Sequence, residues 1–195
     1  MVNTKDLRVI KTRSVIEQAL INLLDQKEFE HISVQNIVDE AMINRKTFYS
    51  HYEDKYQLAD LLIERILNHF QEALKIRFAV PLHEDNPETL RTFYHVIFQD
   101  RQMILALFKA RTDHHYLWDD LMNLLREAYL KIMPPTFDHL TSINADYLCQ
   151  SYATLSLSSI KWALELGTEE AIEVIVSSYT RGLPAMVWPP WSEPT

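Results

Sequence analysis

Two glycines serve 195 residues, and both lie late in the chain, at Gly167 and Gly182. Glycine supplies the positive φ that tight hairpin turns demand, so a β-rich chain of this length would need many more. The prolines cluster outside the stretches of helical periodicity. What remains is long runs with apolar residues three and four apart, and that pattern predicts an all-α fold of about nine helices. Helices are expected over 5–26, 54–78, 87–99, 101–110, 116–133, 142–166 and 169–181, with two short ones between the first and second of these. Asn86-Pro87 reads as an N-cap followed by a first helical residue. Pro81–Asn86 reads as a break, Pro134-Pro135 as a stop before a loop through Asp138, and Gly167 as a left-handed C-cap. Thr168 caps the last helix, which Gly182 ends.

The short helices fall in Ser33–Lys55, SVQNIVDEAMINRKTFYSHYEDK. Val34, Ile37, Val38 and Ala41 mark the inner face of the first. Ile43, Phe48 and Tyr52 mark that of the second, again at helical spacing. The outward face of the second helix offers Arg45, Lys46, Thr47, Tyr49 and His51. Cations, hydrogen-bond donors and a phenol on one short helix are what a recognition helix in a DNA major groove requires. Ser33, Asn44 and Asp54 stand where N-caps are wanted. Ser33 and Gln35 would sit at a positive helix end suited to a phosphate oxygen, and Lys55 would be free to reach another.

These residues resemble the helix-turn-helix of the TetR family of transcriptional regulators. The matching positions are Asn44, Arg45, Thr47, Phe48, Tyr49, His51, Tyr52, Asp54, Lys55 and Leu58, and the likeness extends back over the first helix, about a third of the chain. Met42 departs from the pattern, since the family often has Gly in this turn and a positive φ would strain Met. Lys46 also departs, standing where Gly is common and adding a charge near the groove. The resemblance implies an N-terminal three-helix helix-turn-helix domain and a C-terminal helical domain for dimerisation and ligand binding. It implies a homodimer on a palindromic double-stranded DNA operator, with Ser33, Gln35, Asn44, Arg45, Lys46, Thr47, Tyr49, His51 and Lys55 at the DNA. Lys46 and Lys55 are expected on phosphates, Arg45 at a base edge, and Tyr49 and His51 on the backbone or a thymine methyl.

The net charge of −8 speaks against a uniformly basic nucleic-acid binder, and distribution decides the matter. Lys5, Arg8, Lys11, Arg13, Arg45, Lys46 and Lys55 would have to share a face. No run of about 18 apolar residues occurs, so no membrane span is expected. The start, MVNTKDLRVIKTR, lacks the apolar core of a signal peptide, and the single Cys149 fits a reducing cytoplasm.

The first helix should bury Val9, Ile16, Ala19, Leu20, Leu23 and Leu24. The helix from Asp54 has more apolar surface than a three-helix domain covers, so a boundary near Asn68 is expected inside it. That gives domains 1–67 and 68–195, coupled by one continuous helix. In the last two long helices Ala145, Leu148, Tyr152, Leu155, Ser159, Ile160, Ala163, Ile172, Ile175, Val176 and Tyr179 are expected to build a four-helix dimer seam, as the family implies, with an intrachain core as the other reading. Trp188 and Trp191 in the tail would cover an apolar patch.

By the same resemblance, a ligand cavity would draw on Tyr94, His95, Phe98, Phe108, His115, Trp118, Met122, Tyr152 and Trp162, although most aromatics here should be plain core. The effector, an unknown small molecule, is not named by the sequence. The rival reading is a protein coregulator docking on the aromatic C-terminal domain. His69, His83, His95, His114, His115, His139 and Cys149 show no metal-ligand spacing, so neither a metal nor a cofactor is expected. No nucleophile elbow, phosphate-cradling loop, dinucleotide fingerprint or paired-histidine zinc motif occurs, and the chain is expected not to be an enzyme.

Overall fold

A computed structural model describes residues 4–78, 86–132 and 142–181. Those residues form helices α1 (Thr4–Gln26), α2 (Val34–Glu40), α3 (Arg45–Tyr49), α4 (Lys55–Arg77), α5 (Pro87–Phe98), α6 (Arg101–Leu107), α7 (Leu117–Ile132), α8 (Ser142–Leu166) and α9 (Glu169–Arg181), with a single 3-10 turn at Phe29–His31. The fold is all-α, as the periodicity predicts. His83, Pro134-Pro135, Asp138, His139, Gly182, Trp188 and Trp191 lie outside the described residues.

The chain divides into two compact units. The first runs to Leu67 and includes Gln102–Leu117; the second holds Asn68–Arg101 and the chain from Trp118 onward. The sequence reading puts all of 68–195 in one domain, whereas α6 and the loop after it cluster with the first unit. Three polar ties explain this. Lys109 Nζ donates to the Leu24 carbonyl at 3.1 Å, at the C-terminal end of α1 where carbonyls lack helical partners. Thr112 Oγ1 donates to Asp60 at 2.6 Å. Arg65 pairs with Glu17 at 2.8 Å and reaches Met103 Sδ at 3.4 Å. No periodicity count anticipates such ties.

The core of the first unit is built from Ile16, Leu20 and Leu24 of α1, Phe29 and Ile32, Ile37 of α2, Phe48, and Leu58, Leu62, Ile63 and Ile66 of α4, all essentially solvent-free. Burying each large side chain contributes roughly 1.5–3 kcal/mol. Val9 is not among them: it is exposed, as are Leu7, Ile10 and Val15. The buried stripe of α1 begins only at Ile16.

The turn between α2 and α3 carries the one positive φ of a non-glycine residue among the described residues, Met42 at 51°. The turn is left-handed at this residue, and methionine bears the strain. The Met42 side chain is 92% exposed, so it offsets nothing by packing. An L-residue here costs about 1–2 kcal/mol, and glycine's extra chain entropy returns about half of that. Met42→Gly should therefore raise stability by about 0.5–1 kcal/mol in urea unfolding; a lower midpoint would show the strain is not there.

In the second unit, Phe70, Ala73 and Leu74 of α4 are buried with Leu90, Phe93, Tyr94 and Ile97 of α5, Leu121, Leu125 and Tyr129 of α7, and the inner residues of α8 and α9. Asn86 caps α5, accepting from Glu88 N at 2.9 Å, and Pro87 follows as its first residue. Arg91 grips Glu173 of α9 through two nitrogens, at 2.5 and 2.9 Å. That bidentate bond, against the opposing effect of desolvation, holds the Glu173 carboxyl below its usual range.

Gly167 ends α8 with φ 67°, its N–H donating to the Ala163 carbonyl at 2.8 Å. Arg101 lies across this corner, donating to the Leu164 carbonyl at 2.5 Å and the Glu165 carbonyl at 3.3 Å. A Cβ on Gly167 would stand 2.6 Å from Arg101 Nε. Gly167→Ala should cost about 2–3 kcal/mol, from the left-handed backbone and from displaced arginine bonds. Paired with Arg101→Ala, the clash part vanishes, so a double-mutant cycle by denaturant should show coupling. Strict additivity would refute the packing argument.

Candidate functional site

Each cap the sequence nominates is in place. Ser33 Oγ accepts from Asn36 N at 3.2 Å, while Asn36 Oδ1 accepts from Ser33 N at 3.0 Å. That is a capping box with asparagine in the return position. Asn44 Oδ1 accepts from Thr47 N at 2.8 Å and so opens α3. Asp54 accepts from Tyr56 N and Gln57 N at 2.9 and 2.8 Å and opens α4. Three helix starts within 22 residues are thus set by short polar side chains, and they fix a helix–turn–helix at α2 and α3.

Phe48, at 0% exposure, and Tyr52, at 4%, anchor the inner side of α3 and its exit. The Tyr52 hydroxyl donates to Glu17 at 3.1 Å, and burial first, then the Glu17 charge, pushes its phenol well up. The opposite side is open. Arg45 and Lys46 are exposed, and Tyr49 is 55% exposed. Thr47 and His51 are half-buried, and the Thr47 hydroxyl donates to Asn44 Oδ1 at 3.1 Å.

Gln35 has a different place from the one expected. Its Oε1 accepts from Arg45 Nε at 2.7 Å, and its Nε2 donates to Asp39 at 2.6 Å. The chain Asp39–Gln35–Arg45 crosses the turn and orients the guanidinium. It engages Nε and not the two terminal nitrogens, the pair suited to a guanine edge. Gln35 thus links α2 to the Arg45 side chain of α3.

Lys55 corrects the sequence reading outright. It is 8% exposed, and its ammonium donates to the carbonyls of Phe29 and Glu30 at 2.7 and 3.2 Å. It sits 4.6 Å from the Phe29 ring centroid and 5.0 Å from that of Tyr56. Burial pulls its pKa below the usual lysine range, against the Glu30 charge. An ammonium so engaged is not available to a phosphate; it fastens the loop after α1 to the start of α4.

The nine residues expected around a ligand are divided between the two units. Phe108 and His115 belong to the first unit. His95 is half-exposed and faces Glu169 at 3.7 Å. Trp162 is 43% exposed. Trp118 lies under Lys161 Nζ, 5.8 Å from its ring, and Met122 Sδ accepts from Thr154 at 3.9 Å. Tyr152 packs on Tyr129, centroids 5.5 Å apart. Phe98 is half-buried and does not line a cavity of the second unit that Tyr94 and Arg77 border.

That cavity, about 10 Å³, is lined by Leu74, Arg77, Phe78, Leu90, Phe93, Tyr94, Leu125, Tyr129, Ser156 and Tyr179. Only Tyr94 was anticipated. Arg77 is 4% exposed, with its guanidinium 5.2 Å from the Phe78 ring centroid. Tyr129 and Ser156 hydroxyls lie 2.7 Å apart, and Ser156 and Tyr179 hydroxyls 3.3 Å. Burial, then the neighbouring phenols, pushes the Tyr94 phenol well up, with Arg77 opposing.

Two other histidines face carboxylates: His69 pairs with Asp100 at 2.8 Å and His115 with Glu64 at 4.0 Å. Among the described residues no group of three potential metal ligands forms, and no helix is long and apolar enough to cross a membrane.

No family model matches the chain. It is 34% identical over 61 residues, 31% of its length, to the uncharacterized HTH-type transcriptional regulator YxbF of Bacillus subtilis, and the match spans only 16% of that relative. It is 27% identical over 149 residues to the HTH-type transcriptional regulator SAB2452 of Staphylococcus aureus, covering 74% of this chain and 80% of the relative. Among solved structures, a TetR-family regulator from Syntrophomonas wolfei superposes with TM-score 0.63 at 18% identity, over 94% of this chain and 98% of the other. A TetR regulator from Streptococcus agalactiae does so with TM-score 0.55 at 24% identity, over 90% and 94%. The chain has the fold of these TetR-family regulators, and its relatives are transcription regulators, not enzymes.

Proposed function

We infer that this chain is a sequence-specific DNA-binding regulator of transcription that acts as a homodimer on a palindromic operator. The observation that carries the reading is α3: five residues, buried through Phe48, presenting Arg45, Lys46 and Tyr49 outward. Two such helices, related by a two-fold axis, would enter major grooves about 34 Å apart. Lys46 supplies sequence-independent attraction to phosphate; Arg45, aimed by Gln35, reads a base edge. With Lys55 engaged internally, the phosphate contacts fall to Lys46 and the exposed Arg8, Lys11 and Arg13.

Dimerisation is supported by exposed apolar side chains on one side of α8, namely Tyr147, Trp162 and Leu166, and by Val174 on α9. Ile160, Ala163, Ile172, Ile175 and Val176, named from sequence for the seam, are buried within their own unit. Leu148, Leu155 and Ser159, also named for the seam, are half-buried on the side of α8 that carries Trp162 and Leu166, and the seam proposed here draws on that side.

Control by a small molecule in the second unit is supported by a cavity whose lining includes Arg77, Ser156 and three phenols. Occupancy would shift α4, which carries both Lys55 and Arg77, and so change the spacing of the two recognition helices. A protein coregulator is the second reading, favoured by the cavity's present size and by the exposed aromatics. Pull-down from lysate, set against a ligand thermal-shift screen, separates the two. The central test is selection from a random duplex pool: an inverted repeat with half-site centres one or more helical turns apart is expected. No enriched sequence, or a lone half-site, would overturn the reading.

A further inference from the structure

We propose that α3 reads a guanine in each half-site through Arg45, and that Gln35 of α2 sets this preference without touching the DNA. The inference rests on the DNA-binding reading above and names the base that the site takes. Arg45 is the first residue of α3 and is exposed. Its side chain makes one hydrogen bond among the described residues, from Nε to Gln35 Oε1 at 2.7 Å. A guanidinium carries its donors in a rigid planar fork. With Nε engaged, the edge left for a partner is the pair Nη1 and Nη2. Two parallel donors match the major-groove edge of guanine, where O6 and N7 are both acceptors. Adenine sets an amino donor beside its N7, cytosine presents an amino donor, and thymine offers one carbonyl beside a methyl group. Guanine alone satisfies both terminal nitrogens.

A glutamine can itself read adenine, but that takes both ends of its amide. Here Oε1 accepts from Arg45, and Nε2 donates to Asp39 at 2.6 Å. The amide therefore acts on the DNA through Arg45. Asp39 lies one helical turn after Gln35 on α2, and its carboxylate polarises the amide so that Oε1 becomes the stronger acceptor. A neutral amide also suits this place better than an acid. A carboxylate against Arg45 would take two of its donors at once and withhold them from the base. With only Nε held, the guanidinium is ordered before it meets the duplex, so less side-chain entropy is lost on binding.

The test is binding of the full chain, by fluorescence anisotropy, to the inverted repeat chosen from the random duplex pool. Each half-site should hold a guanine whose replacement by adenine weakens binding by about tenfold or more. Replacing it with 7-deazaguanine, in which a C–H stands for the N7 acceptor, should weaken binding by about fivefold per half-site. Hypoxanthine keeps O6 and N7 and lacks the minor-groove amino group, so it should bind within about twofold of guanine. Gln35→Ala should cut the guanine-over-adenine ratio by about fivefold and leave affinity for random duplex unchanged. In an Arg45→Ala background the same change should do nothing further. A loss there as large as in the parent chain would mean that Gln35 meets the DNA itself, and would overturn its part in orienting Arg45. A repeat bound equally well with guanine, 7-deazaguanine or adenine at every half-site position would overturn the guanine assignment and leave the DNA-binding reading intact. A pool that yields no inverted repeat would overturn that reading, and this inference with it.

Discussion

Arg45→Ala is expected to weaken binding to the selected operator by about 100-fold while leaving the protein folded. A bidentate base contact is worth about 1–3 kcal/mol, and a symmetric dimer makes it twice. Arg45 is exposed and takes no part in the core, so circular dichroism and unfolding midpoints should not move. The loss should also be sequence-dependent, large on the operator and small on random duplex. Gln35→Ala leaves the guanidinium in place but removes the acceptor that holds its Nε at 2.7 Å. It should cost several-fold, the entropy of re-ordering one long side chain. Lys46→Ala should weaken all duplexes alike and flatten the salt dependence by roughly one unit per lost phosphate contact. Unchanged operator affinity for Arg45→Ala, with the fold intact, would remove this face from the DNA.

Lys55→Ala is expected to cost about 2 kcal/mol of stability and to leave the salt slope of DNA binding unchanged. The ammonium bonds two carbonyls and lies near two rings, and bonds from charged donors are worth about 1.5–3 kcal/mol each before the charge's desolvation is deducted. That deduction is real here, since burial already disfavours the charged form. Lys55→Met, which keeps the buried stem and drops the charge, should therefore cost less than Lys55→Ala, about 1 kcal/mol or below. Denaturant midpoints for both variants, beside binding measured at several salt concentrations, decide the point. A salt slope lowered by one unit with full stability would restore Lys55 to the phosphate backbone.

Lys55 and Arg77 share a lesson about reading charges on helices. Along α4 the buried residues include Leu58, Ala59, Leu62, Ile63, Ile66, Phe70, Ala73 and Leu74. Lys55 stands three and four residues before that stripe, and Arg77 three and four after Ala73 and Leu74. Helical spacing alone places both on the inner face. For Lys55 chemical type argued for solvent, and spacing was the better guide, because two backbone carbonyls receive its ammonium. The ligand residues were harder to read for the opposite reason. Aromatic type marked them, but nothing in their spacing says which helix faces which, and Phe108 and His115 belong to a different compact unit.

By itself the sequence determined the helical class, the helix ends and the helix–turn–helix. These depend on neighbours within a few positions: the caps at Ser33, Asn44, Asp54 and Asn86, the left-handed Gly167, and apolar residues one turn apart. Only the tertiary structure decided where α6 belongs, that Gln35 aims Arg45, that Lys55 is spent inside, and that Arg77 borders a cavity. Each of those facts pairs groups distant along the chain, and local patterning carries no term for such distances.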